Sequence, residues 1–202
     1  MHDLTELEAP FSEEEVETTI KSMSSDKAPG PDGFTGAFFK GCWEIIKDDV
    51  MAAMHSLFHL NDQSFELLNS VSIILLPKKA DALKVSDFRP ISLIHSIPKI
   101  FSKLLANRLA PHLNSLVSNC QSAFIKKRSI HDNFLYVQGV VRKLHKLKLP
   151  TIFMKLDIHK AFDTVNWGYP LEVMQALGFG SRWREWVSIL FHTASSRALL
   201  KG

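Results

Sequence analysis

The chain has 202 residues, 46% of them hydrophobic, which allows one ordinary domain with a core and argues against a disordered tail. Its longest apolar run, "VSIILLP" at 71–77, is far too short for a membrane span, and its first twenty residues are acidic without a lysine or arginine, unlike a signal or transit peptide. The net charge of +3 hides an asymmetry: residues 1–70 hold 4 Lys/Arg against 14 Asp/Glu, whereas residues 71–160 hold 16 against 4. Such a basic middle suits a polyanionic partner or, with equal weight, a solvated lysine face. Cys42 and Cys120 lie far apart with no C-x-x-C, so they read as reduced thiols of an intracellular protein and not as a zinc site.

In chain order, "FSEEEV" at 11–16 is a helix start: Ser12 as N-cap, Glu15 as its capping-box partner, Phe11 and Val16 at the staple positions. Val16, Ile20 and Met23 continue its apolar face. The Pro- and Gly-rich "SSDKAPGPDGF" at 24–34 breaks it. Trp43, Ile46, Val50, Met54, Leu57 and Phe58 then have the spacing of a buried helix face. "SVSIILLPKK" at 70–79 and "DFRPISLI" at 87–94 read as two arms of a hairpin with "ADALKVS" at its tip. Ile100, Leu104, Leu105 and Leu109 mark the next helix, and Pro111 ends it or begins a short successor. "HDNFLYVQGVVRKLHKL" at 131–147 is another, with Asp132 as cap and Phe134, Leu135, Val141, Leu144 and Leu147 as its apolar face. The alternation in Ile152–Leu156 predicts a strand, and "PLEVMQALGF" at 170–179 a short helix with Gly178 at its end.

Two aspartates flank "IHKAF" after that strand. Asp157 could cap the turn and Asp163 the following helix, the common reading for such a pair. Alternatively, a carboxylate on a rigid strand end is a platform for Mg²⁺, which prefers hard oxygen ligands. Lys160 reads as a solvated lysine or a counter-charge for either aspartate. Lys78, Lys79 and Arg89 on the hairpin arms could grip a polyphosphate, arginine bidentately and lysine as a point charge, or form a solvated strand end. "KAPGPDG" lacks the spacing of a phosphate-cradling loop, and the nine histidines show no paired metal spacing.

"KLDIHKAFDTVNW" resembles the first catalytic-aspartate motif of reverse transcriptases of non-LTR (LINE-type) retrotransposons. "DKAPGPDGF", "ILLPKK", "DFRPISL", "KIFSKLLANRL", "QSAFIKKRSIHDN" and "LEVMQALGFGSRWREW" match further blocks of that family in its order, in a style most like plant elements. The resemblance implies an α+β fold: the fingers and partial palm of a right-hand polymerase, helix-rich, with a short β-hairpin and an incomplete palm sheet. Residues 1–150 would be fingers with an N-terminal helical extension, and 151–202 the truncated start of the palm. It implies that Asp157 is the first of three catalytic acids and a ligand of Mg²⁺, that the Ile158 carbonyl is a further ligand, and that Phe162 lies under the incoming sugar. It implies that Arg89 and either Lys78 or Lys79 bind the triphosphate. It also places Gln121, Ser122 and Phe124 near template and nucleotide, and Lys126, Lys127 and Arg128 where template phosphates would suit them. The family usually has glycine at the position of Lys127.

The partners implied are an RNA template, an RNA–DNA hybrid and a dNTP, with no membrane. The family's later blocks, "QGDP" and "ADD", do not occur in the sequence. The expectation is therefore an RNA-directed DNA polymerase fragment with an incomplete metal site, inactive alone and with uncovered apolar surface. The alternative is a non-catalytic nucleic-acid-binding remnant of such a protein.

Overall fold

The structure, a computed structural model, describes residues 4–60, 65–158 and 164–199. It is a helix-rich α+β chain that divides into two compact units, one of Met1–Asn107 with Leu171–Gly202 and one of Arg108–Pro170.

The first unit begins with a 3-10 turn, Thr5–Glu8, and helix α1, Glu13–Ser22. The Ser12 hydroxyl accepts the Glu15 N–H at 3.2 Å, so the sequence's cap is the structure's cap. Helices α2 (Gly36–Gly41), α3 (Trp43–His59) and α4 (Phe65–Leu68) follow. Trp43, Val50, Met54, Leu57 and Phe58 are buried, as the spacing on α3 predicts. Strands β1 (Ser70–Pro77) and β2 (Phe88–Ile94) form the expected antiparallel hairpin, and α5 (Ser96–Leu109) leaves it with Ile100, Leu104 and Leu105 buried.

Three later elements lie wholly or mostly in this unit. Helix α8 (Gly168–Leu177) leads into α9 (Ser181–His192), and strand β3 (Ser195–Ala198) pairs parallel to β1, giving a three-stranded mixed sheet in the order β2-β1-β3. Strand β3 is not predictable from periodicity, since it is four exposed residues, "SSRA", without an apolar pattern. The fit depends on Asn69, whose buried amide donates to the Leu190 carbonyl and to Thr193 Oγ1, each at 2.9 Å. The core is aromatic. Trp186, fully buried, lies with its ring centroid 5.3 Å from Phe11, 5.4 Å from Phe58 and 6.3 Å from Phe101, and its indole N–H donates to the Phe58 carbonyl.

The second unit holds α6 (Leu113–Leu116) and α7 (Ile130–Lys146). Ser129, not Asp132, caps α7, its hydroxyl accepting the His131 N–H at 3.1 Å. The apolar face of α7 exists but is not buried: Phe134, Leu135, Val141 and Leu147 are exposed, and they continue into exposed Ile152–Leu156. The strand expected there does not form. Alternating side chains favour a strand only where a neighbour takes its backbone hydrogen bonds, and no described residue pairs with 152–156. A unit this short cannot bury so much apolar surface by itself.

Replacing Trp186 by alanine should destabilise the first unit by about 3–5 kcal/mol, the usual cost of emptying a packed indole site. Chemical denaturation followed by circular dichroism measures this. A loss below about 1 kcal/mol would mean that the aromatic cluster is not what holds the unit.

Candidate functional site

The hairpin carries the first group of candidate residues. Register pairs Leu76 with Arg89 and Pro77 with Phe88, and the Lys78 N–H continues the ladder to the Asp87 carbonyl at 2.8 Å. Opposed residues share a face and faces alternate along a strand, so Lys78 and Arg89 lie diagonally on one face. The tip is rigid for a reason local to Asp87. One carboxylate oxygen accepts the N–H groups of Leu83 (3.2 Å) and Lys84 (3.1 Å), and the other meets Lys79 Nζ at 3.5 Å. Those backbone donors, Lys84 first, hold the Asp87 carboxyl below the usual carboxylate range. Lys79 is half exposed and pairs with the turn's carboxylate. Lys78 spends one of its three donors on the Ser86 carbonyl at 2.7 Å, and Arg89 makes no side-chain hydrogen bond or ion pair among the described residues.

In the second unit, the loop before α7 is tied by Arg128. Its Nε and one terminal nitrogen bond Asn114 Oδ1, and its remaining donors reach the carbonyls of Val117, Ser118 and Gln121 at 2.6–3.1 Å. All five guanidinium donors are used inside the loop, which corrects the expectation that Arg128 is available to template phosphates. Gln121 is exposed; its carbonyl takes one of those bonds and its amide donates to the Ala123 carbonyl at 3.3 Å. Lys126 and Lys127 remain exposed. Lys127 has φ 69°, the left-handed conformation that glycine adopts without strain, so the backbone there keeps the turn for which the family's glycine is suited. Phe124 also has a positive φ, 64°, and is 90% exposed. Nothing in "IKKRS" separates Arg128 from the two lysines before it; only the fixed five-donor fork, able to gather several carbonyls, distinguishes it chemically.

Asp157 and Ile158 end an exposed, irregular stretch of the second unit, while Phe162, Lys160 and Asp163 lie outside the described residues. The Asp157 carboxylate and the Ile158 carbonyl are hard oxygen donors of the kind Mg²⁺ takes. Among the described residues no group of three or more His, Cys, Asp or Glu could hold a metal ion.

"KAPGPDG" is a docking loop of the first unit. A Cβ on Gly30 would lie 2.1 Å from the Ile94 carbonyl oxygen, so only glycine lets the loop meet the end of β2. Asp32 accepts from the Ser96 N–H with one oxygen and from the Phe34 N–H with the other.

Two measurements test this geometry. Lys127→Gly should relieve the left-handed strain by about 1 kcal/mol and slow hydrogen exchange at the Arg128 amide, which bonds the Ile125 carbonyl at 3.2 Å, by roughly fivefold. Faster exchange would contradict a strained turn. The folded Asp87 carboxyl is a stronger acid than in the unfolded chain. Its cap is thus complete above the ordinary value of 3.8 and is lost as pH falls through the lower folded value. The amide resonances of Leu83 and Lys84 should titrate with a midpoint below 3.8; a midpoint at or above it would show the cap absent in solution.

Comparison with known proteins gives these residues a common origin. The chain is similar to the "Transposon TX1 uncharacterized 149 kDa protein" of Xenopus laevis, 29% identical over 96% of this chain and 15% of the relative. It is similar to the Pol polyprotein of the type-2 retrotransposable element R2DM of Drosophila melanogaster, 29% identical over 88% of this chain and 16% of the relative. It is likewise 29% identical to the probable RNA-directed DNA polymerase of the Drosophila transposon X-element, over 83% of this chain and 19% of that protein. The chain thus spans less than a fifth of the length of each of these relatives. The family model for reverse transcriptase (RNA-dependent DNA polymerase) matches residues 76–202, from the end of β1 through the last strand, and the chain belongs to that family.

Proposed function

We propose that this chain is the nucleotide- and template-binding part of an RNA-directed DNA polymerase of a non-LTR retrotransposon, comprising fingers and the beginning of a palm. The observation that supports the reading is the hairpin register, in which Lys78 and Arg89 share a face while Lys79 pairs with Asp87. A triphosphate needs concentrated positive charge with at least one bidentate donor, and Arg89 with Lys78 supplies both. In this reading Gln121 and the exposed lysines of its loop meet the template, and Phe162 adjoins the sugar of a dNTP. Asp157 and the Ile158 carbonyl supply part of the oxygen set for Mg²⁺, which when bound would neutralise phosphate charge. RNA template and RNA–DNA hybrid are the partners, in an intracellular setting. No helix among the described residues is long and apolar enough to cross a membrane.

Nucleotide binding tests the reading without requiring catalysis. The chain should bind a deoxynucleoside triphosphate more tightly than the matching nucleoside. Arg89→Ala should weaken triphosphate binding by roughly 10- to 100-fold, the worth of charge-assisted hydrogen bonds, while leaving the nucleoside unaffected. Calorimetry reads both. Equal affinity for triphosphate and nucleoside, or an Arg89→Ala variant that binds like the parent, would remove the triphosphate assignment.

A further inference from the structure

A groove of about 390 Å³ runs over the first unit between α2, α3 and the start of α5. Ile46, Asp49, Val50 and Ala53 line it from α3. They are the i, i+3, i+4, i+7 set of one helix face, so the groove follows that helix for two turns, roughly 10 Å. Phe38 lines it from α2. The lining is mostly apolar, and its fixed charges are all of one sign. Asp32 and Asp49 border it, with no lysine or arginine. His95, its Nδ1 3.8 Å from Asp32 Oδ2, is the remaining titratable side chain there.

Single apolar residues on a surface are ordinary. Here position and charge combine. Asp49 has no ion pair among the described residues, whereas Glu44 on the same helix pairs with Lys47. Ile45, four residues before Asp49 and on the same side of α3, is 82% exposed, so this carboxylate sits within an apolar strip. Asp32 is fixed in place, because its two oxygens hold the N–H groups of Ser96 and Phe34. Two carboxylates on an apolar groove repel phosphate and attract a cation. The wider field agrees: residues 1–70 hold 4 Lys/Arg against 14 Asp/Glu, which steers basic partners toward this region. We propose that the groove docks an amphipathic helix of another protein, with apolar side chains at i and i+4 against Ile46, Val50 and Ala53 and lysine or arginine beside Asp32 and Asp49. Two turns of groove match two turns of such a helix. The inference uses neither Lys78 nor Arg89 and stands without the polymerase reading.

The test is fluorescence anisotropy with the complete chain. The probe is a labelled, alanine-based helical peptide with leucines at i and i+4 and lysines on either side of them; a twin peptide carries glutamates for the lysines. The lysine peptide should bind, and the twin should bind at least about tenfold more weakly. Asp49→Lys should weaken the lysine peptide roughly tenfold and strengthen the twin. Asp48→Lys makes the same charge change at a neighbouring exposed acid that does not line the groove, and should alter either affinity by less than about twofold. Ala53→Phe, which fills the groove and leaves its charge alone, should weaken both peptides. Thermal melts verify that each variant is folded. If Asp48→Lys and Asp49→Lys behave alike, the attraction is a diffuse field and the docking site is overturned. If the parent binds neither peptide, the proposal falls while the polymerase reading stands. If Ala53→Phe weakens a labelled oligothymidylate as much as it weakens the lysine peptide, the groove belongs to nucleic acid and the helix assignment is wrong. If sedimentation shows that the chain self-associates and Asp49→Lys abolishes this, the occupant is a second copy of the chain and the assignment to another protein is wrong.

Discussion

The contact of Trp186 with Phe11, Phe58 and Phe101 is the constraint from which the first unit follows. The four rings come from the segment before α1, from α3, from α5 and from α9, so one cluster fixes four pieces of chain. Edge-to-face packing among them is directional, unlike aliphatic burial, and it sets orientation as well as proximity. Two polar ties then settle the register of α9. The Glu8 carboxylate accepts the Trp183 N–H at 2.8 Å at the start of that helix, and Asn69 holds the carbonyl of Leu190 near its end. A carboxylate at a helix N-terminus is favourable there because of the unpaired N–H groups and the helix dipole. With α9 fixed at both ends, the chain after it meets β1 in only one way, and β3 forms.

This dependence explains what the sequence disclosed and what it did not. Elements whose signal is local were legible. Ser12 caps α1, α3 buries its stripe, and the two arms of the hairpin pair, because capping, helical spacing and the prolines of the hairpin arms act within a few residues. Strand β3 was not legible, since four exposed residues become a strand only through a neighbour brought from far away. The opposite error occurred at 152–156, where a strand pattern is present and no described neighbour accepts it. Among the candidate site residues, Lys78 and Arg89 were visible as charges on two arms, but only register shows that they share a face. Arg128 looked like another basic residue of "KKR"; its role is set by carbonyls that converge on it from ten to eleven residues upstream.

The two units also contrast in how they use polar chemistry. In the first, buried polar groups such as Asn69 complete a core that is already apolar. In the second, where Ile125 is the one buried large apolar residue among those described, a guanidinium with five hydrogen bonds takes the place of a core. Such a loop keeps its shape by donor geometry, and lysine, with a single ammonium, could not reproduce it. The uncovered apolar face of α7 is the counterpart: the unit is organised by its loop and leaves its helix stripe unburied.

The first unit is discontinuous in the chain, and this governs the order in which it can be made. The Trp183–Glu8 bond joins residues 175 positions apart, and the Asn69 amide reaches 121 positions to the end of α9. Residues 108–170 are synthesised between the two parts. On a ribosome, the segment before α1, α3 and α5 emerge with Phe11, Phe58 and Phe101 facing an empty place, and the indole that fills it arrives only after the whole interposed segment. Closure over such separations is slow, because loop entropy is lost before contacts compensate it. During that interval Phe11, Phe58 and Phe101 are open to other chains, so the nascent protein is a natural client for chaperones that shield aromatic surface.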